Sequence, residues 1–297
     1  MKEQAQNYKV SGLSPNRRYK DRLFCYIFGA EENRKYLLSL YNAINHTEYA
    51  DAGDIEITTL EDVIYIRMKN DVSFILDSEL NLYEHQSTFN PNMPLRGMMY
   101  FSSLYMQYLT VIKKDLYGTT LVKIPTPRYY VFYNGEREYP DRMELKLSDA
   151  FDKPDDTGDF EWTAVMLNIN QGRNKDLLEK CRALREYSDY VAMVRENHKT
   201  MSINEAIDKA VDSAIKKNYL NGFFKKHKEG VAGMSLTEYN EAEFVANRLE
   251  EGIAEGENLM SSLIRLLLKD NRNSDIELAA TDKDARKRLY KEYGLMQ

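Results

Sequence analysis

Residues 70–96 read NDVSFILDSELNLYEHQSTFNPNMPLR, and within them Glu84, His85 and Gln86 place a carboxylate, an imidazole and an amide in a row. The runs DVSFILD and ELNLYEHQ are short, rich in β-formers and meet at a polar turn, which is the pattern of a hairpin. Parity then decides which side chains meet. A two-residue loop pairs positions whose numbers sum to an odd total, and side chains alternate faces with period 2. With Asp77-Ser78 as the loop, Asp71 lies across from Glu84; with Ser78-Glu79, Asp71 faces Gln86 and Ser73 faces Glu84. Either turn gathers Asp71, Glu84 and Gln86 on one face. A three-residue loop would break that arrangement.

Two carboxylates converging on one sheet face repel each other unless a cation lies between them. Hard oxygen donors of this kind suit Mg²⁺ or Mn²⁺. Ile75, Leu80 and Leu82 share the face, so the polar trio ends an apolar strip. A solvated sheet edge whose charges deter aggregation is the alternative reading. Val72, Phe74, Leu76 and Tyr83 fall on the opposite face and read as core. Parity sends the His85 imidazole there too; it reads as a structural histidine, with a metal ligand as the alternative.

Other elements must hold this hairpin. YKDRLFCYIFG and ENRKYLLSLYNAI carry apolar residues at helical spacing, with Gly29 between them. From about residue 55 to 86 the pattern is β. Pro94 suits the first turn of a helix running to about Lys114. RYYVFYNG reads as a buried strand closed by Asn134-Gly135, and AVMLNIN as a further strand. The expected fold class is α/β, a mixed sheet flanked by helices. From about residue 175 the pattern is almost wholly helical, with Ser202 as an N-cap and Glu205 at the capping-box position. The composition changes near residue 200, which divides the chain into 1–200 and a helical region 201–297. Gly252 and Gly256, four apart in one helix, either permit close helix packing or are tolerated weak points.

The 297 residues are 43% hydrophobic and 30% charged, the balance of a folded chain rather than a disordered one. A net charge of −6 argues against non-specific coating of nucleic acid, while leaving room for a local basic groove. The 22 tyrosines read as amphipathic residues at the edges of sheets and helices. Cys25 and Cys181 are too few for a disulfide framework or a cysteine zinc site and read as reduced, buried thiols. MKEQAQNYKV lacks the apolar stretch of a signal peptide, and Arg265 interrupts the apolar run in SSLIRLLLKD. The expectation is a cytoplasmic protein with no membrane partner.

Asp71, a short hairpin and Glu84-x-Gln86 resemble the signature of the PD-(D/E)XK nuclease superfamily, with Gln86 where a Lys is usual. More specifically, NDVSFILDSELNLYEHQSTFNPNMPLRGMMY resembles the recombination-promoting nuclease/putative transposase (Rpn) family. YKDRLFCYIFG, LLSLYNAI, YYVFYNG, LNINQGRN and LLEKCRALREYSDYV are similar to that family's framework. The resemblance implies a restriction-endonuclease-like core and Mg²⁺-dependent cleavage of DNA phosphodiesters. It implies Asp71 and Glu84 as metal ligands, with the backbone carbonyl of His85 as a further oxygen. Gln86 would orient a water without bringing the charge of a Lys. Asp21, in YKDRLF, is either an acidic helper from the first helix or a surface residue near a helix start. Arg96 and Tyr100 share a helix face; Arg96 is a candidate phosphate contact, and Tyr100 a support or packing residue. The basic run NRRYK at 16–20 and later lysine pairs either line a DNA path or solvate helix faces. DNA is the implied partner, and a homodimer the implied assembly, with 201–297 as a candidate for oligomerisation. The alternative is a catalytically degenerate nuclease fold that binds DNA or regulates a partner. Gln86 and the sequence pI of about 5.5 favour that alternative; the preserved Asp71 and Glu84 disfavour it.

Overall fold

The computed structural model describes residues 23–57, 71–155 and 157–296, with the backbone alone over 240–255. Asp21, the basic run at 16–20 and the strand-like runs of 58–70 lie outside the described residues. The apolar spacing near the start of the chain forms α1 (Leu23–Gly29) and α2 (Arg34–Asn45). A short strand, β1 (Glu56–Ile57), precedes the hairpin of β2 (Asp71–Leu76) and β3 (Glu79–Gln86). Asp77 and Ser78 form its loop with φ of 51° and 60°, the left-handed pair of a type I′ turn. That turn matches the right-handed twist of the strands it joins. It selects the first of the two expected registers, with Asp71 opposite Glu84 and Leu76 opposite Glu79.

After β3 the chain crosses through α3 (Met93–Val111), which has Pro94 in its first turn, and returns as β4 (Thr126–Tyr133). A helical crossover returns the chain parallel to the strand it left, and β4 runs parallel to β3. An antiparallel pair follows, β5 (Arg142–Lys146) and β6 (Thr163–Asn168), and β6 lies parallel to β4. The six strands form one mixed sheet in the order β1-β2-β3-β4-β6-β5. The chain continues through α4 (Lys175–Lys180), α5 (Arg182–His198), α6 (Ile203–Lys216), α7 (Phe223–Lys226) and α8 (Lys228–Lys269). It closes with α9 (Asn273–Thr281) and α10 (Lys283–Glu292). In α6 the capping box is complete. The Ser202 hydroxyl accepts from Glu205 N at 3.4 Å, and the Glu205 carboxylate accepts from Ser202 N at 3.1 Å.

β3 is buried on both faces, so the sheet has two cores. On one side α3 packs Tyr100, Phe101 and Leu104 onto Leu80, Leu82 and Val131. On the other, Phe24, Leu37, Leu184 and Tyr187 cover Phe74 and Phe132. The tyrosines depart from the expectation that they sit at edges. Tyr83, Tyr133, Tyr187 and Tyr190 are among the largest fully buried side chains. A buried phenol is tolerable when its hydroxyl finds a partner. Tyr133 donates to the Arg137 carbonyl at 2.9 Å, Tyr36 to the Leu220 carbonyl at 2.8 Å, and Tyr190 shares a hydrogen bond with Ser235 at 2.8 Å. Cys181 is buried as expected, whereas Cys25 is only half-buried.

The chain forms two compact units, 1–239 and 240–297, so α6 and α7 belong with the sheet. The second unit has its own apolar cluster, built on Leu263, Leu267, Ala279, Leu289 and Tyr290. Beside it Arg272 pairs with both Asp275 and Glu292. Among the described residues, a Cβ at Gly256 would meet nothing within 4 Å, and Gly252 lies outside the residues whose side chains are described. Among the described residues, no helix is long and apolar enough to cross a membrane.

Candidate functional site

Glu84 is 1% exposed, which makes an ionised carboxylate there costly unless donors surround it. Three elements supply them. From two residues along β3, Gln86 Nε2 donates to Glu84 Oε1 at 2.8 Å. From α3, Arg96 Nη2 forms a close ion pair with the same oxygen. From β4, the Tyr129 hydroxyl donates to Glu84 Oε2 at 2.6 Å. Asp71 completes the group from β2, half-buried and directly opposite Glu84 in the ladder. The trio expected on one sheet face is therefore gathered at the end of the apolar strip, under the first turns of α3.

Arg96 and Tyr100 meet as their spacing requires. Arg96 Nη2 donates to the Tyr100 hydroxyl at 3.0 Å, and the guanidinium lies 5.6 Å from the Tyr100 ring centre. Arg96 also reaches the Glu84 carboxylate, an ion pair that helical spacing alone does not reveal. α3 approaches the sheet this closely because position 97 is glycine. A Cβ there would collide with the Tyr129 ring and stand 3.1 Å from Trp162 Nε1. Trp162 packs on Phe101 with ring centres 5.1 Å apart, and among the described residues its indole N–H has no hydrogen-bond partner.

Burial and the surrounding charges together fix the protonation states. Burial pushes the Tyr129 phenol well above its ordinary range, and the Glu84 charge beside it adds to the shift. Tyr100 is raised for the same two reasons, with Asp71 contributing. For Arg96 burial opposes the charge, but Glu84 and Tyr100 outweigh it and hold the guanidinium protonated. Both phenols therefore keep their protons at neutral pH, Tyr129 as a donor to Glu84 and Tyr100 as an acceptor from Arg96, and neither serves as a base.

His85 lies on the opposite face, as parity requires. Its Nε2 is 2.9 Å from the Tyr187 hydroxyl, and its ring stacks on Phe24 with centres 5.3 Å apart. Tyr187 O in turn accepts from Asn134 Nδ2 at 3.4 Å. The imidazole is built into the α1–α5 side of the core.

Tyr129 and Arg195 belong to this region without having been singled out in the sequence. Asn134 N donates to the Gln86 carbonyl at 3.1 Å, which ties the end of β4 to the end of β3. Arg195 then clamps that end, bonding the Asn134 carbonyl through Nη2 and Asn170 Oδ1 through Nη1, the latter at 2.9 Å. Asn170 also bonds the Gly135 carbonyl and Asn168 Oδ1. The available signal was the density of amides in YNG and LNINQGRN, at the carboxyl ends of two parallel strands.

Mg²⁺ is held by one or two carboxylates and keeps several waters, so Asp71 and Glu84 match it in donor type and number. Among the described residues, no group of three or more His, Cys, Asp or Glu side chains is placed to hold a metal. Glu84 Oε1 is engaged by Arg96 and Gln86, so a cation at that oxygen competes with the guanidinium. Comparisons of the chain with protein-family models, with curated proteins and with solved structures give no match.

Proposed function

We propose that the protein is a Mg²⁺- or Mn²⁺-dependent DNA endonuclease that hydrolyses phosphodiester bonds at the Asp71, Glu84 and Gln86 site. The observation that carries this reading is the register of the hairpin. It sets Asp71 opposite Glu84, with the Gln86 amide on the Glu84 carboxylate. The mixed sheet with helices on both faces supports a restriction-endonuclease-like core, and the family resemblance of residues 70–100 supplies the DNA substrate. A setting in recombination, mobile-element biology or defence rests on that resemblance alone.

Asp71 and Glu84 would hold the metal. When bound, it would supply an acidified water and offset charge on the scissile phosphate. Tyr129 keeps Glu84 Oε2 fixed. Gln86, an amide, orients a water through hydrogen bonds and leaves transition-state charge to other groups. Arg96 is the cation at hand. Once released from Glu84, its planar fork suits a phosphate oxygen pair.

The test is cleavage of supercoiled plasmid with Mg²⁺, Mn²⁺ or EDTA by the wild type, Asp71→Asn and Glu84→Gln. Metal-dependent nicking that either substitution abolishes is the expected outcome. Undiminished cutting by either folded variant would remove the site. A second reading, a degenerate nuclease fold that binds DNA or regulates a partner, is favoured by one observation. Both oxygens of Glu84 are already satisfied by Arg96, Gln86 and Tyr129. Under it, the folded wild type does not cut DNA with Mg²⁺, Mn²⁺ or EDTA, and Glu84→Gln binds DNA as the wild type does.

A further inference from the structure

We infer that Arg96 is a latch on the Glu84 carboxylate: its guanidinium withholds Glu84 from a divalent cation until a nucleic-acid phosphate draws it away, so that metal and DNA bind cooperatively. The inference rests on the reading of Asp71, Glu84 and Gln86 as a nuclease centre and adds to it an order of assembly. The first observation is a conflict at one atom. Glu84 Oε1 accepts from Gln86 Nε2 at 2.8 Å and pairs with Arg96 Nη2. A divalent cation seated on that oxygen would stand within a few ångströms of a guanidinium that is always charged. With Glu84 1% exposed, like charges there are weakly screened. Arg96 and a metal therefore exclude each other from Oε1, whereas the neutral Gln86 amide adds no repulsion.

The second observation is how lightly Arg96 is otherwise held. Among the described residues, Glu84 is its one hydrogen-bond or ion-pair partner outside α3. The other contacts lie one turn away on its own helix, with Nη1 3.7 Å from Met93 Sδ and Nη2 donating to the Tyr100 hydroxyl at 3.0 Å. Both of those partners are neutral. The Arg96 side chain is 34% exposed, so it borders solvent while its carboxylate partner does not. Leaving Glu84 breaks one ion pair and no contact between segments besides. Arg195 shows the contrast, since it bonds the Asn134 carbonyl and Asn170 from two other segments and is built in. Glu84 also keeps its place when Arg96 leaves, because the Tyr129 hydroxyl still donates to Oε2 at 2.6 Å.

What replaces Glu84 must be an anion with paired oxygens. A phosphodiester presents two such oxygens, and the planar fork of an arginine takes them as it takes a carboxylate. The phosphate then balances the guanidinium as Glu84 is released to the metal. Each event removes an obstacle to the other. By linkage the coupling is reciprocal, so DNA raises metal affinity by the factor by which metal raises DNA affinity. Without DNA the carboxylate stays committed to Arg96, and the hydrolytic centre assembles only on its substrate.

The test is Mn²⁺ binding to the full chain, read from the electron paramagnetic resonance of the free ion, with and without a short phosphorothioate duplex that resists cleavage. The duplex alone is the blank. In the wild type the duplex should tighten Mn²⁺ binding about 5–150-fold, the span of ordinary coupling between sites. Without DNA, Arg96→Gln, which keeps a neutral donor beside Glu84, should bind Mn²⁺ at least about 5-fold tighter than the wild type, and the duplex should then add less. Arg96→Lys, which keeps the charge, should stay near the wild type. Lys199→Met, which removes an exposed charge on α5, should change nothing. An independent readout is the guanidinium resonance of Arg96 in the wild type, assigned by its loss in Arg96→Lys, which should move when Mg²⁺ and duplex are added together. Equal or weaker Mn²⁺ binding by folded Arg96→Gln, or a resonance that does not move, would overturn the latch and leave the nuclease centre standing. Absence of Mn²⁺ binding, or binding that Asp71→Asn does not weaken, would remove the centre and the latch with it.

Discussion

Glu84 draws its donors from its own strand, from α3 and from β4, and these are unequal in energy. Replacing Arg96 with Met strands a buried carboxylate, a change that costs 3–5 kcal/mol for a fully buried pair. Arg96 retains about a third of its side-chain exposure, so a loss near the lower end, about 3 kcal/mol, is expected in a urea titration. Mg²⁺ should restore part of that loss, because a cation bound only by the folded state raises stability by mass action. An Arg96→Met variant indifferent to Mg²⁺ would count against Asp71 and Glu84 as metal ligands. Tyr129→Phe removes a charge-assisted donor and should cost about 2 kcal/mol by the same titration. The positions of Asp71, Glu84 and Gln86 were legible in the sequence because strand parity and a two-residue loop are local rules. Tyr129 was not, because a parallel neighbour is chosen by a crossover across the sheet, and nothing within RYYVFYNG says which strand lies beside it.

α3 owes its seat to Gly97, and the helix is where element-level tests bear hardest. Gly97→Ala gains helix propensity but sets a methyl against the Tyr129 ring. Overpacking of this kind costs about 1–3 kcal/mol, more than the propensity returns. Thermal unfolding of Gly97→Ala should therefore show a lowered midpoint. At α6, Ser202→Ala should cost about 1 kcal/mol through loss of the N-cap. Its pH dependence has a definite sign. The Ser202 hydroxyl, with help from the Ser202 backbone N–H, holds the Glu205 carboxyl below its ordinary 4.5. A depressed folded pKa contributes stability above the unfolded value that is lost as pH falls through the folded one. The difference between Ser202→Ala and wild type should thus be largest at neutral pH and shrink on acidification below about 4.5. Both helix starts were legible, since caps and a first-turn proline act locally. β5 was not. Its residues, RMELK, form an edge strand in which Met143 and Leu145 alternate with three charged residues, and five positions with a single buried side chain are too short a run to stand out.

Across the whole molecule, the two compact units predict independent responses to substitution. Arg272→Gln, which removes both acidic partners of that guanidinium, should speed amide exchange in α9 and α10 and leave β2 and β3 as protected as before. Accelerated exchange in the hairpin would show that the units unfold together. Composition was a poor guide to aromatic placement at this scale, because a tyrosine count cannot tell an edge from a core. The one tryptophan is better defined. Trp162 rests against Phe101 and the Gly97 turn of α3, at the seam that carries Arg96 onto Glu84. Its emission is accordingly an intrinsic optical gauge of that seam. With no second indole to dilute the signal, a stopped-flow trace on the unlabelled protein would time any motion of α3 over the carboxylates, in a cuvette and without a dye.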